Sequence, residues 1–209
     1  MKIANDPNRK LSPEIGSYGI LMSDLRGFTA ISEQYPTLSI LPLLNHYFQE
    51  MTKIIDSYGG SVDKFMGDSV LALFKMDLDE DTSYNMISCA IDMQLAMDDI
   101  NKLSSSLNLP EVFMGIGLNA GKVVVCELGS DLYRELTVLG EPVNVVSRMS
   151  AFALRGQVLI SEEVFRSCKD QVETGADFNL LLKGKRQIIK IYELQGLLYP
   201  DRKTIVVVQ

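Results

Sequence analysis

A two-residue Gly-Asp connection between two β-like segments is the feature that most restricts how this chain can fold. The segments cover residues 61–66 and 69–74, and Gly67-Asp68 separates them. A connection this short, made of glycine and aspartate, favours a β-hairpin with two antiparallel strands. The hairpin therefore predicts that at least part of the sheet is antiparallel.

Helical and β-like patterns alternate along the rest of the chain. Helices are predicted over residues 38–58, 84–103, 141–153 and 161–168. Further strands are predicted over residues 18–23, 112–118, 122–128, 133–139, 157–160, 177–183 and 187–194. We also predict an acidic surface loop over residues 77–83 and a turn at Asn119-Ala120-Gly121. Together these elements predict one α/β or α+β domain built on a largely antiparallel sheet.

Length and charge narrow the class of protein. The 209 residues are enough for one domain with a full core. The chain carries 27 Asp and Glu against 20 Lys and Arg, which gives a net charge of −7. Because affinity for nucleic acid depends on a basic surface, we expect no nucleic-acid partner.

Two further patterns concern the location of the chain. No apolar run approaches the roughly 20 residues of a membrane span, so no membrane segment is expected within this sequence. Cys89, Cys126 and Cys168 are widely spaced and form no CxxC pair, which argues against a zinc site or a disulfide framework. We therefore expect a reducing, cytoplasmic location.

Two aspartates stand where strands end or turn. Asp24 follows the predicted strand 18–23, and Asp68 lies in the hairpin turn. Taken alone, each is more simply interpreted as a helix cap or an ordinary turn residue. If the two strands are neighbours, both carboxylates meet at one edge of the sheet, where they can hold Mg²⁺ and leave positions for substrate phosphates. Gly27 would let backbone N–H groups approach a phosphate closely.

Four motifs together resemble the catalytic domain of class III nucleotidyl cyclases. They are Asp24-Leu25-Arg26-Gly27-Phe28-Thr29, Lys64-Phe65-Met66-Gly67-Asp68, Gly140-Glu141-Pro142-Val143-Asn144-Val145-Val146-Ser147-Arg148-Met149 and Leu182-Lys183-Gly184-Lys185. The resemblance covers residues 17–195, leaving residues 1–16 as a linker or N-terminal stump and residues 196–209 as a C-terminal extension. It implies the cyclase fold, an α+β sandwich with a ferredoxin-like core of mostly antiparallel sheet flanked by helices.

The resemblance assigns metal and phosphate binding to the first two motifs. It implies that Asp24 and Asp68 hold two divalent metal ions, Mg²⁺ or Mn²⁺, with the backbone carbonyl of Leu25 as a further ligand. It also implies that the turn Gly27-Phe28-Thr29 contacts the substrate. A pair of metal ions at this position would activate a hydroxyl nucleophile and stabilise the leaving phosphate oxygens.

Lys64 and Thr137 stand at the two positions that read the base in this family. A lysine donates to adenine N1, and a threonine hydroxyl accepts from the exocyclic amine. Guanine presents a protonated N1 and an oxygen at C6, so Lys64 would be mismatched with it. Guanylate-selective relatives tend to carry an acidic residue where Lys64 stands. The pair therefore implies ATP as the substrate.

By resemblance, the last two motifs act on the sugar and the phosphates. Asn144 and Arg148 are four residues apart and so project from one face of a helix. The resemblance implies that Asn144 orients the ribose and that Arg148 stabilises charge developing on the phosphates. Lys183 resembles the lysine that binds the triphosphate, with Lys185 as the substitute if the register is shifted.

The resemblance implies an adenylate cyclase that forms cyclic AMP and pyrophosphate in sites shared across a homodimer. One protomer would supply the metal aspartates, and its partner would supply Lys64, Asn144 and Arg148. A fused or separate sensor domain is a further expected partner. Three alternatives stay open: a guanylate or mixed-specificity cyclase, a catalytically silent nucleotide-binding or dimerisation module, and a diguanylate cyclase. A diguanylate cyclase would require a GGDEF-type turn, where this chain has Met66-Gly67-Asp68-Ser69.

Overall fold

The predicted hairpin lies at one edge of the sheet in the structure, a computed structural model that describes residues 12–76, 81–130, 132–181 and 188–198. The strands are β1 (Glu14–Arg26), β2 (Ser61–Met66), β3 (Ser69–Lys75), β4 (Phe113–Gly129), β5 (Arg134–Leu139), β6 (Val158–Ser161), β7 (Val172–Leu181) and β8 (Ile188–Leu197). The helices are α1 (Phe28–Gln34), α2 (Thr37–Ser57), α3 (Asp81–Leu95), α4 (Met97–Ser106), α5 (Glu141–Phe152) and α6 (Glu162–Cys168).

Within these residues the strands form one sheet in the order β2-β3-β1-β4-β6-β8-β7, and β5 pairs with the C-terminal part of β4. Every neighbouring pair is antiparallel except β4 and β6, which are parallel. The predicted fold class, an α+β domain with a mostly antiparallel sheet, is confirmed.

Both faces of the sheet are covered, which explains why β3 is apolar along its length. Ala72 and Phe74 pack in the core that the sheet forms with α2, α3, α4 and α6. Leu71 and Leu73 point to the other face, where they pack with Val146 of α5. Helix α5 therefore lies on the opposite side of the sheet from the other long helices. Among the described residues, no helix combines the length and apolar character needed to cross a membrane.

The predicted turn at Asn119-Ala120-Gly121 is wrong, because β4 runs through it as one strand. β1 pairs with β4 along all 13 of its residues, including the positions opposite this segment. The Asn119 side chain is buried and donates to the carbonyl oxygen of Pro142 at 3.0 Å. A Cβ at Gly121 would lie 2.6 Å from Cγ of Pro142. The glycine is therefore needed for close packing against α5 rather than for a turn.

The predicted helix over residues 84–103 is two helices, α3 and α4, which meet at Ala96. Ala96 keeps helical backbone angles, and its N–H still donates to the carbonyl oxygen of Asp92. No glycine or proline marks the boundary, so the apolar pattern reads as one helix. Residues 81–83 of the predicted loop belong to α3, whereas residues 77–80 lie outside the described part of the chain.

Two strands begin several residues before their predicted ranges. β1 begins at Glu14, inside the segment 1–16, and β7 begins at Val172 rather than at residue 177. Glu14 and Ile15 are exposed and are held in the strand by their pairing with β4. This pairing joins residues more than a hundred positions apart, so a local sequence pattern does not predict it.

Helix α2 contributes to stability through one buried face, which can be tested with two leucines. Leu43 is 1% exposed, whereas Leu38 on the same helix is 83% exposed. We expect Leu43→Ala to lower the free energy of unfolding by about 2–5 kcal/mol, because it leaves a cavity in the core. The matched variant Leu38→Ala should change it by less than about 0.5 kcal/mol. Urea denaturation measures both, and equal losses would contradict the packing described.

Candidate active site

The end of β1 and the turn of the β2–β3 hairpin lie side by side at one edge of the sheet. Pairing between β1 and β3 runs up to Ser23, the residue before Asp24. The Ser69 hydroxyl, next to the hairpin turn, donates to Oδ1 of Asp24 at 2.6 Å. The backbone N–H of Leu25 donates to the carboxylate of Asp68. The structure thus brings the two predicted metal aspartates and Leu25 together.

The electrostatics of this edge suit a divalent cation. Burial raises the pKa of Asp68, and the nearby charge of Asp24 raises it further. The hydrogen bond from Leu25 and the charge of Arg26 offset only part of this effect. The Asp24 side chain is 29% exposed, and its two oxygens carry one contact each, from Ser69 and Arg26. A carboxylate has about four lone-pair positions, so this hard oxygen set retains capacity for Mg²⁺ or Mn²⁺.

The turn after Asp24 has the shape that a glycine requires. Gly27 has φ 76° and is the N-cap residue of α1, with no side chain capping the helix. The simpler interpretation of Asp24 as a helix cap is therefore wrong. Phe28 packs partly buried against the core, and Thr29 is exposed. The predicted substrate contacts of Gly27, Phe28 and Thr29 stay predictions.

Lys64 and Thr137 meet across the sheet, as the base-reading prediction requires. The Lys64 ammonium on β2 donates to Oγ1 of Thr137 on β5 at 2.7 Å. A β-bulge makes this possible, because Val62 and Lys64 pair with consecutive residues of β3 and Asp63 is the additional residue. Lys64 consequently pairs with Leu71, whose side chain packs on the face covered by α5.

A third residue of this group, Glu135, was missed by sequence reasoning. The Lys64 ammonium donates to Oε1 of Glu135 at 2.6 Å, a shorter distance than that to Thr137. Glu135 lies two residues before Thr137 on β5, so the two side chains share one face of the strand. That spacing was visible in the sequence once Thr137 had been singled out. Because Lys64 is 21% exposed, its paired ammonium is still accessible to a ligand.

Asn144 and Arg148 lie on α5, as predicted. Helix α5 follows Gly140 at its N-cap and buries Val145 and Met149 against the sheet. Asn144 is exposed, while Arg148 is partly buried and faces an open cavity of about 390 Å³. The other residues lining that cavity are Ala151, Phe152, Leu180 and Leu181. Lys183 and its alternative Lys185 lie outside the described residues.

This combination of fold and site is that of a nucleotidyl cyclase domain. Residues 11–196 match the family of adenylate and guanylate cyclase catalytic domains. The chain therefore belongs to that family, and the resemblance seen in its motifs is confirmed. The matched range begins before β1 and ends within β8.

Proteins similar to this chain include several that are named cyclases. It is 36% identical over 186 residues to an adenylate cyclase of Anabaena cylindrica, covering 85% of this chain and 36% of the relative. Its structure resembles that of the guanylyl cyclase Cya2 with a TM-score of 0.87 and 32% identity, covering 95% and 100% of the two chains. For the adenylyl cyclase CyaB from P. aeruginosa the TM-score is 0.82 and the identity 29%, covering 88% and 96%. The chain spans about a third of the length of the Anabaena relative.

Asp63, the residue before Lys64, provides a test of the electrostatics around that lysine. Its side chain is 5% exposed, and burial raises its pKa despite the nearby Lys64 charge. A raised folded-state pKa means that protonated Asp63 favours folding below its unfolded pKa of about 3.9, and that this contribution is lost as the pH rises through the folded value. We therefore expect Asp63→Asn to be more stable than the wild type at pH 7, with the difference shrinking towards pH 4.

The measurement is urea denaturation of both proteins across this pH range. Asp177→Asn is the matched control, because it removes the same charge from a carboxylate that is 53% exposed. We expect no comparable gain for it at pH 7. A loss of stability in Asp63→Asn at pH 7 would show that the contact with Lys64 outweighs the cost of burying the carboxylate.

Proposed function

We propose that this domain is an adenylate cyclase, which converts ATP to 3′,5′-cyclic AMP and pyrophosphate. The contact between Lys64 and Thr137 is the observation that supports ATP as the substrate. An ammonium has three N–H donors, of which Lys64 uses one for Thr137 and one for Glu135. The third, with Oδ2 of Asp63 at 3.7 Å, would donate to adenine N1. The Thr137 hydroxyl accepts from Lys64 and retains a lone pair for the exocyclic amine of adenine. Guanine presents the opposite donor and acceptor at these two atoms.

Asp24 and Asp68 would hold the divalent metal ions, with the Leu25 carbonyl as a further candidate ligand. When bound, these ions supply activation of the ribose 3′-hydroxyl and stabilise charge on the phosphate oxygens. The nearness of the two carboxylates at one sheet edge supports this role, because the charge of Asp24 adds to burial in raising the pKa of Asp68.

The residues of α5 would position the sugar and the reacting phosphate. Asn144, exposed on the helix, would donate to or accept from the ribose. Arg148 would present its planar guanidinium to the α-phosphate, where charge develops as the 3′-hydroxyl attacks and pyrophosphate leaves. Lys183 is proposed to bind the triphosphate. Most of the rate acceleration would then come from positioning and charge neutralisation.

We place each site between two copies of this chain. One protomer would contribute Asp24 and Asp68, and its partner Lys64, Thr137, Asn144 and Arg148. Large apolar side chains are exposed along the β4–β5 extension, which supports a partner surface there. They are Leu128 at 47%, Leu132 at 99%, Tyr133 at 68% and Leu139 at 45% exposure. A homodimer would then contain two equivalent sites related by a two-fold axis.

A guanylate or mixed-specificity cyclase is the second candidate. The observation that favours it is the similarity to the protein named guanylyl cyclase Cya2, which the chain matches over 95% of its length. The proposed reading of the base by Lys64 and Thr137 argues against GTP. The assay described next distinguishes the two candidates.

The first test gives purified protein ATP or GTP with Mg²⁺ or Mn²⁺ and measures cyclic nucleotide formed. We expect cyclic AMP from ATP. Lys64→Glu should lower kcat/KM for ATP by about 10- to 100-fold, the range for losing a hydrogen bond from a charged donor, and should affect GTP less. Lys53→Glu makes the same charge change at an exposed residue of α2 and should leave the ratio of the two activities unchanged.

Product from GTP alone would make the domain a guanylate cyclase. An equal loss for both nucleotides in Lys64→Glu would show that Lys64 does not read the base. Absence of product from a folded dimer with either metal would favour a catalytically silent module.

The shared site is tested by complementation. Asp24→Ala and Asn144→Ala should each be inactive alone, because each removes one half of both sites. Mixed in equal amounts, they should recover about a quarter of wild-type activity, since half the dimers are mixed and each of these has one intact site. Asp24→Ala mixed with Asp68→Ala is the control and should recover none, because both changes fall in the same half. Activity that never returns in confirmed mixed dimers would contradict a shared site.

A further inference from the structure

Arg26 joins the proposed metal edge to the helix that carries Asn144 and Arg148. It ends β1, two residues after Asp24, and its Nη1 lies 3.0 Å from Oδ2 of Asp24. The same guanidinium donates from Nη2 to the carbonyl oxygen of Ser150 and from Nη1 to that of Ala151 at 3.4 Å. Both carbonyls belong to the last turn of α5. One side chain, 17% exposed, therefore connects a carboxylate of the sheet edge with this helix.

A glycine on β4 makes room for this connection. Gly115 pairs with Asp24 in the register of β1 and β4. A Cβ at Gly115 would lie 2.5 Å from Nη2 and 2.7 Å from Nε of Arg26. The guanidinium thus rests directly on the strand backbone, and any side chain larger than hydrogen would displace it. Its planar set of donors suits three simultaneous contacts, which a lysine ammonium on a flexible stem would not reproduce.

We propose that Arg26 couples the two active sites of the dimer, an inference that rests on the proposed sharing of each site between protomers. Within one protomer, Asp24 would serve one site, while Asn144 and Arg148 on α5 would serve the other. Arg26 links these two halves through contacts with Asp24, Ser150 and Ala151. A change in the charge around Asp24 at one site therefore reaches the helix of the other site.

The sign of the coupling follows from charge. Divalent cations that enter with the nucleotide at Asp24 compete with the guanidinium for the same carboxylate and repel it. The hold of Arg26 on the last turn of α5 is weakened, and Arg148 lies in the turn just before. The second site is then less well ordered, so the second nucleotide binds more weakly than the first. Two arrangements of one side chain, paired with Asp24 or released from it, provide the discrete states that coupling requires.

The test is calorimetric titration of the full-length dimer with 3′-deoxy-ATP and Mg²⁺, a ligand that lacks the attacking hydroxyl. For independent sites the second dissociation constant exceeds the first by about fourfold, the statistical factor for two equivalent sites. For the wild type we expect the ratio of the second to the first dissociation constant to be at least about fivefold larger than this statistical value. Arg26→Met and Gly115→Ala should both return to the statistical ratio. Gly115→Ala keeps every charge and only displaces the guanidinium, so it remains informative if Arg26→Met fails to fold.

Arg166→Met is the control, because it removes a positive charge that is 72% exposed on α6, where it pairs with Glu162 and not with any residue of this connection. It should keep the wild-type ratio. A statistical ratio in the wild type, or an unchanged ratio in both Arg26→Met and Gly115→Ala, would overturn the coupling while leaving the proposed function intact. Folded dimers that bind no nucleotide at all would contradict the proposed function and the coupling with it.

Discussion

The antiparallel pairing of β1 with β4 holds the centre of the sheet and sets where each part of the site lies. It runs along all 13 residues of β1 and places Asp24 opposite Gly115. Past Glu14, the first residue of β1, β4 continues and pairs with β5, which carries Glu135 and Thr137. One register therefore positions both the proposed metal-binding edge and the proposed base-reading pair. A slip by one residue would turn every side chain of the strand to the other face and remove both together.

The metal edge is a place where the fold accepts an unfavourable charge arrangement. Burial raises the pKa of Asp68, and the nearby charge of Asp24 raises it further. Arg26 and the Leu25 N–H reduce this cost without removing it. The same crowding of negative charge is what attracts a divalent cation. A ligand that binds only the folded state also stabilises that state, so the strain at this edge would be relieved when the site is in use.

How much of the site was predictable depends on whether its contacts are local or cross the sheet. The meeting of Asp24 with Asp68 was expected from a strand end and a hairpin turn, on the condition that the two strands are neighbours. The family resemblance assigned Lys64 and Thr137 a shared role, whereas their contact was found only in the structure. Glu135 was missed, although residues two apart on a strand share one face and Glu135 lies two residues before Thr137.

The connection made by Arg26 was not predictable, because it depends on which residue of β4 stands opposite Asp24. The role of Gly115, which leaves room for the guanidinium, depends on that register. The same limitation explains the error at Asn119-Ala120-Gly121, where residues typical of a turn serve close packing against α5 inside one long strand. The assignment of roles to Asn144, Arg148 and Lys183 rests on the resemblance and stays a prediction.

The net charge of −7 appears unfavourable for a domain proposed to bind a nucleoside triphosphate. The described positive charges near the site are few, and several are already paired: Arg26 with Asp24, and Lys64 with Glu135. Among the described residues, these pairs leave little positive charge for several phosphates. The decisive charges would be those of the divalent cations held by Asp24 and Asp68. Acidity that argues against nucleic acid as a partner is thus compatible with a nucleotide substrate, provided that the cations bind with it.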